Sequence, residues 1–195
     1  MTPFDAFLLE LDQKWAGPID RKIVLRIIGS VALMLQVDYM RGTKDGDVLE
    51  TVAMNREIQG RLLALGGEGT ALAKKHQIYL DIVHSGLPFL PHPAIYHPME
   101  HLNAVLNHFE VEVLDVLDVV VSKLKRFSLN DRKDIEEMAN RGLVDPELLV
   151  ERFRSALDGS AMSSHADDFP DYVRNLNQVE RDWLYTDETP FDLED

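Results

Sequence analysis

The spacing of apolar residues alternates between helical and extended patterns along the first part of the chain. Intervals of three and four over residues 3–16 predict an amphipathic helix. Lys22–Ile28 is short, β-branched and almost wholly apolar, which is typical of a central strand buried on both faces. A short helix over Ser30–Gln36, with Ser30 as a plausible N-cap, and a second strand over Asp47–Val52 are predicted next.

The pattern continues with a helix, two further strands and a proline-rich interval. Asn55–Leu65 has helical spacing, whereas Gln77–Val83 alternates as a strand does. Ser85–Pro98 contains four prolines and is predicted to be a loop, because proline cannot donate to a sheet or continue a helix. Val105–Leu114 is predicted to be the fourth strand.

Helical signals dominate after residue 114. Helices are predicted over Val116–Phe127, Asn130–Asn140 and Phe169–Trp183, and Asp145-Pro146 supplies an N-cap and first residue for a further helix. The predicted fold class is therefore α+β, with a small mixed sheet flanked by helices and a helical C-terminal part. We expect residues 1–114 to form the α/β core, residues 115–185 to pack on it as helices, and residues 186–195 to form an acidic tail.

Composition favours a cytoplasmic protein. The chain has no cysteine, so it has neither disulfides nor a cysteine-based zinc site. Its first residues lack a secretory signal, and no apolar run approaches the length of a membrane span, so no membrane association is expected. The formal net charge of −14 disfavours a broad nucleic-acid surface, although basic clusters leave room for a local one.

Two aspartates at the start of the second strand are the main chemical signal. Asp45 and Asp47 stand two residues apart, so both side chains would point to the same side of the sheet. Asp81 interrupts the otherwise apolar third strand, where an unpaired charge would be costly, and it is the best candidate for a third carboxylate. Glu112 is the alternative. Carboxylates are the ligands that Mg²⁺ prefers, and Mn²⁺ is also possible.

A Gly-Ser turn precedes these acids. Gly29-Ser30 opens a helix directly after the first strand, and such a turn offers backbone N–H groups and a helix dipole to a phosphate. Asp-Gly-Asp alone is better explained as a solvated turn between two elements, because such acid pairs are common in loops. The coincidence of strand, Gly-Ser, helix, acid pair and a further strand aspartate favours a site for a metal-bound nucleoside triphosphate.

The order of these residues resembles the signature of the nucleotidyltransferase superfamily, Gly-(Gly/Ser) followed by Asp-hydrophobic-(Asp/Glu). The string from Arg41 to Asp47 looks like the Arg-x-(Thr/Ser)-x-Asp-x-Asp motif of a narrower branch that contains the AbiEii-type toxins and minimal, uncharacterised nucleotidyltransferases. The segment from Val119 to Ile135 is similar to that branch's Lys-Leu and Arg-Asp-x-x-Asp pair. Gly46 departs from the motif, which usually has a hydrophobic residue there.

The resemblance implies a role for each matching residue. Asp45 and Asp47 would bind metal and take part in catalysis. Asp81 is not part of the motif; its place in the third strand makes it the candidate that would complete the metal site. Lys123 would contact phosphate, and Asp134 would act catalytically or orient the acceptor. The nucleotide-binding set implied by the motifs is Gly29, Ser30, Arg41, Thr43 and Lys123.

Two structural alternatives remain for the later motif. The stem of Lys123 could follow a buried face while its ammonium group emerges at a cleft and binds phosphate. Without the motif, an ordinary snorkelling lysine is the favoured interpretation. Asp131 and Asp134 lie one turn apart on a predicted helix, and Asp131 could equally be a capping residue.

The resulting hypothesis is an enzyme that transfers an NMP group from an NTP to an RNA or protein acceptor. A toxin with a cognate antitoxin is one setting that the resemblance allows. The alternative is a catalytically inactive module of the same fold that binds nucleotides or another protein. It is motivated by Gly46 and by a C-terminal part shorter than that of typical toxins.

Overall fold

The computed structural model describes residues 2–17, 21–37, 39–40, 42–160 and 166–192. The chain divides into a first compact unit, Met1–Pro88 with Tyr96–Leu114, and a second, Phe89–Ile95 with Asp115–Asp195. Among the described residues, no helix combines the length and apolar character needed to cross a membrane.

Among the residues that the structure describes, the first unit contains five helices and the five strands of one mixed sheet. In chain order its elements are α1 (Pro3–Lys14), β1 (Ile23–Ile27), α2 (Gly29–Gln36), β2 (Asp45–Leu49), α3 (Arg56–Gly66), α4 (Ala71–His76), β3 (Tyr79–Val83), β4 (Tyr96–Pro98), α5 (Glu100–Asn103) and β5 (Phe109–Leu114).

The strand order across the sheet is β3-β2-β1-β5-β4. β2 is parallel to β3 and β1 is parallel to β5, whereas β1–β2 and β4–β5 are antiparallel pairs. The predicted α+β class with a small mixed sheet is confirmed.

One face of the sheet is apolar and is covered by α1. Leu25, Leu80 and Phe109 on this face are almost fully buried, and the Trp15 ring packs edge-on against Phe109 with ring centroids 5.1 Å apart. Burial of this face follows from the period of two along each strand, which separates apolar from polar side chains. The other face presents the charged residues of the strands.

The second unit is helical. Its elements are α6 (Val116–Leu124), α7 (Leu129–Asn140), α8 (Pro146–Ser160), a 3₁₀ turn (Ala166–Asp168), α9 (Phe169–Val179) and a π-helical turn (Glu180–Leu184). Asp145 caps α8 as predicted, because its Oδ1 accepts a hydrogen bond of 2.9 Å from the Leu148 N–H.

A buried ion pair ties the segment before β4 into this second unit. Asp118, which is 0% exposed, accepts hydrogen bonds of 2.7 Å from Arg152 Nε, from Arg152 Nη2 and from the Ile95 N–H. Arg152 also donates to the Pro93 carbonyl at 2.8 Å. Phe89 adds an apolar anchor, since its ring centroid lies 5.6 Å from that of Phe153.

Two element predictions were wrong. Tyr96–Pro98, predicted as loop, forms the edge strand β4, where proline is tolerated because one side of an edge strand needs no ladder donor. The strand predicted over Val105–Leu114 begins only at Phe109. Residues before it include α5 and a turn fixed by Asp12, whose carboxylate accepts from the Asn107 and His108 N–H groups at 2.9 and 2.7 Å.

Candidate active site

The register of β2 and β3 sets the geometry of the predicted carboxylates. Asp47 pairs with Asp81, and Asp45 pairs with Tyr79, across two parallel strands. Paired residues on neighbouring strands point to the same face, so Asp45, Asp47 and Asp81 lie on the one opposite α1. Asp45 and Asp81 are exposed and Asp47 is partly buried.

The Gly29 turn is built for a close approach of Asp47. Gly29 begins α2 with φ of +67°, in the left-handed region that favours glycine. A β-carbon at this position would lie 2.8 Å from Asp47 Oδ2, closer than real β-carbons come. The Ile28 N–H also donates to the Asp47 carbonyl at 2.9 Å. The Asp47 carboxylate therefore lies directly against the Gly29 backbone, at a distance that leaves no room for a β-carbon at position 29.

The predicted N-cap was wrong by two positions. Ile28, not Ser30, is the N-cap of α2, and it makes no side-chain capping bond. Ser30 is the second residue of the helix. The sequence signal misled because glycine, rather than the serine beside it, makes the turn from strand to helix.

Local hydrogen bonds position the flanking acids. Thr43 Oγ1 donates to Asp45 Oδ1, and the Ile82 N–H donates to Asp81 Oδ1 at 2.9 Å. Burial raises the pKa of Tyr79, and the negative charges of Asp45, Glu68, Asp81 and Asp47 raise it further. A phenol whose ionisation is opposed by these acids marks this end of the sheet as electronegative, which suits a cation.

The donor set fits a magnesium ion shared with a substrate. Within the described ranges, no three His, Cys, Asp or Glu side chains form a group that could hold a metal by themselves. Mg²⁺ is usually held by one or two carboxylates together with substrate phosphates and water, rather than by a cage of protein ligands. Asp45 and Asp47, two residues apart on one face of β2, offer hard carboxylate oxygens of this kind. Arg41 lies outside the residues that the structure describes.

Sequence reasoning missed one charged cluster on the same face. Glu112, the alternative third carboxylate, accepts a hydrogen bond of 2.9 Å from Arg26 Nε, and the Arg26 guanidinium lies 4.6 Å from the centre of the Tyr96 ring. Glu112 pairs with Arg26 across β1 and β5, so it serves an ion pair here. The available signal was Arg26 itself, a charge inside an otherwise apolar strand.

The later motif forms a separate buried network in the second unit. Lys123 Nζ lies 2.8 Å from Asp134 Oδ2 and 3.3 Å from Asp131 Oδ1. The Lys123 side chain is 6% exposed and that of Asp134 is 0% exposed. The expectation that the Lys123 ammonium emerges at a cleft was wrong, because two carboxylates on α7 retain it inside the unit.

Asp131 is a capping residue. Its side chain accepts from the Ser128 N–H at 3.0 Å, while Ser128 Oγ accepts from the Asp131 N–H at 3.3 Å, which completes a capping box at the start of α7. Arg126 donates to both carboxylate oxygens at 2.7 and 2.8 Å. Of the two alternatives for Asp131, the structural one is confirmed.

Comparison with known families bears on both groups of residues. The family described as "Nucleotidyltransferase of unknown function (DUF6036)" matches residues 6–184. The chain belongs to this family. This nucleotidyltransferase family implies a nucleotide substrate, and the matched region contains the carboxylates of the first unit and the lysine network of the second.

The comparisons of the chain with curated proteins and with solved structures returned no match. The superfamily predicted from Gly29-Ser30 and the Asp45–Asp47 pair is therefore supported by the family match alone. The narrower resemblance to AbiEii-type toxins stays a prediction.

Proposed function

We propose that the chain is an active, metal-dependent nucleotidyltransferase that transfers an NMP group from an NTP to an acceptor. The supporting observation is the position of Asp47, which is paired with Asp81 across the sheet and lies against the Gly29 turn. Carboxylates for a cation and helix N–H groups for phosphate thus meet at one residue.

The first unit would bind the nucleotide. Asp45 and Asp47, with Asp81, would hold Mg²⁺ or Mn²⁺, and Gly29 and Ser30 would direct N–H groups of the first turn of α2 at the phosphates. When bound, the cation would neutralise charge on the triphosphate and on the leaving pyrophosphate. Thr43 would keep Asp45 oriented through its hydrogen bond.

In the second unit we assign Lys123 and Asp134 to the same reaction on the strength of the motif. Lys123 would contact phosphate, and Asp134 would orient or deprotonate the acceptor hydroxyl. Both are buried and joined to each other, so these roles require the ion pair to open. The buried ion pair also supports a purely structural role, in which Lys123 and Asp134 stabilise the second unit. A variant that replaces both residues by apolar ones distinguishes the structural from the catalytic role.

Gly46 has a packing explanation that removes the main argument for an inactive module. A β-carbon at this position would lie 2.5 Å from the Phe4 ring, which is buried. The Phe4 ring therefore supplies the apolar contact that a hydrophobic residue gives in the usual motif. Replacement of the middle residue by glycine leaves Asp45 and Asp47 on the opposite face of the strand.

The central experiment is calorimetric titration with Mg²⁺ and each NTP, followed by incubation with α-labelled NTP and RNA or protein acceptors. Wild-type protein should bind NTP only with metal present and should transfer label. Asp45→Ala combined with Asp47→Ala should lose both activities, because the remaining side chains cannot hold the cation.

The matched control is Glu110→Gln. Glu110 lies on β5 and pairs with Val24 on β1. The substitution therefore removes one acid from the same face of the sheet, two strands away from Asp47. This variant should bind and transfer like wild type. Metal-dependent binding without transfer to any acceptor would favour the inactive module, and no metal-dependent binding would refute the proposal.

A toxin is one setting for this activity. Expression of such a toxin should arrest growth, and the Asp45→Ala, Asp47→Ala variant should relieve the arrest. Growth that is unaffected by the wild-type chain, while transfer is seen in vitro, would remove the toxin hypothesis and the need for a cognate antitoxin.

A further inference from the structure

A cavity of about 560 Å³ lies in the first unit, on the α1 side of the sheet, and the predicted nucleotide site does not use it. Its apolar lining comes from Leu9 on α1, Leu35 on α2, Leu102 on α5 and Val105 just after α5. Small-molecule sites commonly have volumes of about 300–1,000 Å³ and mostly apolar walls with a few polar groups. The cavity meets this description.

Asp5 is the buried charge in the cavity wall. It lines the cavity together with Thr2 and His101, yet Asp5 is only 3% exposed. Its Oδ2 accepts a hydrogen bond of 2.6 Å from the Thr2 N–H, which forms half of the capping box of α1. The capping box therefore fixes the carboxylate in place and uses one of its two oxygens.

The second oxygen has no hydrogen-bond donor in the part of the chain that the structure describes. Asp5 Oδ1 is buried and accepts no hydrogen bond. His101 Nε2 lies 3.6 Å from Asp5 Oδ1, beyond hydrogen-bond distance, and the His101 side chain is 57% exposed. A buried carboxylate oxygen without a donor is costly. Because Asp5 lines the cavity, a donor on a molecule bound there would satisfy Oδ1.

We propose that this cavity binds a small organic ammonium ion. The apolar body of the ligand would fill the space beside Leu9, Leu35 and Leu102, and its ammonium group would donate to Asp5 Oδ1. An anion would be repelled by the carboxylate, and a purely apolar ligand would leave Oδ1 without a donor. Charge and burial thus select one ligand class, independently of the nucleotidyltransferase activity.

The test is a titration of the ¹⁵N-labelled full chain with cyclohexylmethylammonium, followed by amide chemical shifts near pH 8. At this pH an alkylammonium ion keeps its charge, since amines of this kind have a pKa of about 10. Saturable shifts should appear at α1, α2 and α5. Cyclohexanecarboxylate, which has a similar apolar body and the opposite charge, should produce no saturable shifts at these helices.

Variants separate the carboxylate from its surroundings. Asp5→Asn retains an acceptor for the Thr2 N–H but removes the charge, and it should weaken amine binding by about tenfold or more. His101→Ala should bind at least as tightly as wild type, because it removes the group that competes for Oδ1. Glu100→Gln, which removes a neighbouring exposed acid, should bind within about twofold of wild type.

Val105→Trp is a second route should Asp5→Asn fail to fold. Val105 is 55% exposed, so an indole there is expected to fill the cavity without disrupting the core, and it should weaken binding. The proposal is overturned by equal binding of amine and carboxylate, by unchanged affinity in Asp5→Asn or Val105→Trp, or by lost binding in His101→Ala. Shifts at these helices on dilution of the chain alone would indicate a second copy as the occupant and would also overturn it.

Discussion

Gly29 is the residue on which the geometry of the candidate active site depends most directly. Alanine at this position would meet Asp47 Oδ2 at 2.8 Å and would hold a left-handed φ of +67°. We expect Gly29→Ala to lower the free energy of unfolding by about 1–2 kcal/mol. Because Asp47 must move, metal-dependent NTP affinity should fall as well. Urea denaturation and calorimetry measure the two effects.

Gly60→Ala is the matched control for this substitution. Gly60 lies within α3, and a β-carbon there would meet nothing within 4 Å. Alanine should stabilise the helix by about 0.5–1 kcal/mol and leave NTP affinity unchanged. A Gly29→Ala variant with wild-type stability and NTP affinity would show that the turn does not position Asp47.

At the scale of single residues, the sequence predicted correctly the face of the sheet to which a strand side chain points, because that depends only on its position along the strand. The period of two along a strand placed Asp45 and Asp47 on one face, as the register of β2 shows. It could not indicate what occupies the space beside Gly46, because Phe4 is 42 positions away along the chain and only the packing of α1 brings it there. Contacts between distant segments depend on tertiary packing, which local pattern does not encode.

At the scale of elements, α6 and α7 are joined by the Lys123–Asp134 ion pair. Asp134→Ala should lower the free energy of unfolding by about 3–5 kcal/mol. The substitution removes the carboxylate 2.8 Å from the buried Lys123 ammonium group and leaves it the longer contact with Asp131. Lys123→Met combined with Asp134→Leu should recover much of this loss, since apolar residues of similar volume replace a buried ion pair without great cost. Chemical denaturation measures both variants.

The double variant also tests the catalytic assignment. If Lys123 and Asp134 serve the reaction, the folded double variant should bind NTP weakly and transfer no label. Wild-type transfer in that variant would assign the pair to packing alone. Glu136→Gln, an exposed substitution on α7, is the control and should change stability by less than about 0.5 kcal/mol.

Element prediction succeeded where caps and periodicity agree and failed at short or proline-rich segments. The helix opened by Asp145-Pro146 was predicted, and α8 begins at Pro146. The edge strand β4 was missed because Pro98 lies at its end, and its backbone pairing with β5 depends on a strand that follows it in sequence. Short edge strands have too few residues for a local pattern to reveal.

At the scale of the whole molecule, assignment of Phe89–Ile95 to the helical unit could not be predicted. It depends on Asp118 and Arg152, which lie 34 positions apart and hold the Ile95 N–H and the Pro93 carbonyl. Composition gives the net charge of −14, but it does not show which acidic side chains are paired with basic ones. In the second unit, Asp118 and Asp131 form ion pairs with Arg152 and Arg126. Protonation of such a carboxylate at low pH removes the stabilisation that the ion pair provides.

Asp131 provides the measurable case. Burial would raise the pKa of Asp131, but hydrogen bonds from Arg126 and Ser128, together with the charge of Lys123, outweigh burial and hold this pKa far below its usual range. A carboxyl group whose pKa is lower in the folded state stabilises the fold above its unfolded pKa of about 4. That stabilisation is lost as the pH falls from this value toward the folded pKa.

Wild type should therefore exceed Asp131→Asn in stability by about 2 kcal/mol near neutral pH, and the difference should narrow below about pH 4. Urea denaturation from about pH 7 to about pH 3 measures this difference in the free energy of unfolding.

Because all other carboxyl groups titrate in both proteins, the general loss of negative charge cancels in the comparison. Asp187→Asn, which removes an exposed charge, should follow wild type throughout. A difference that stays constant to about pH 3 would mean that Asp131 is not stabilised as a carboxylate by Arg126 and Lys123.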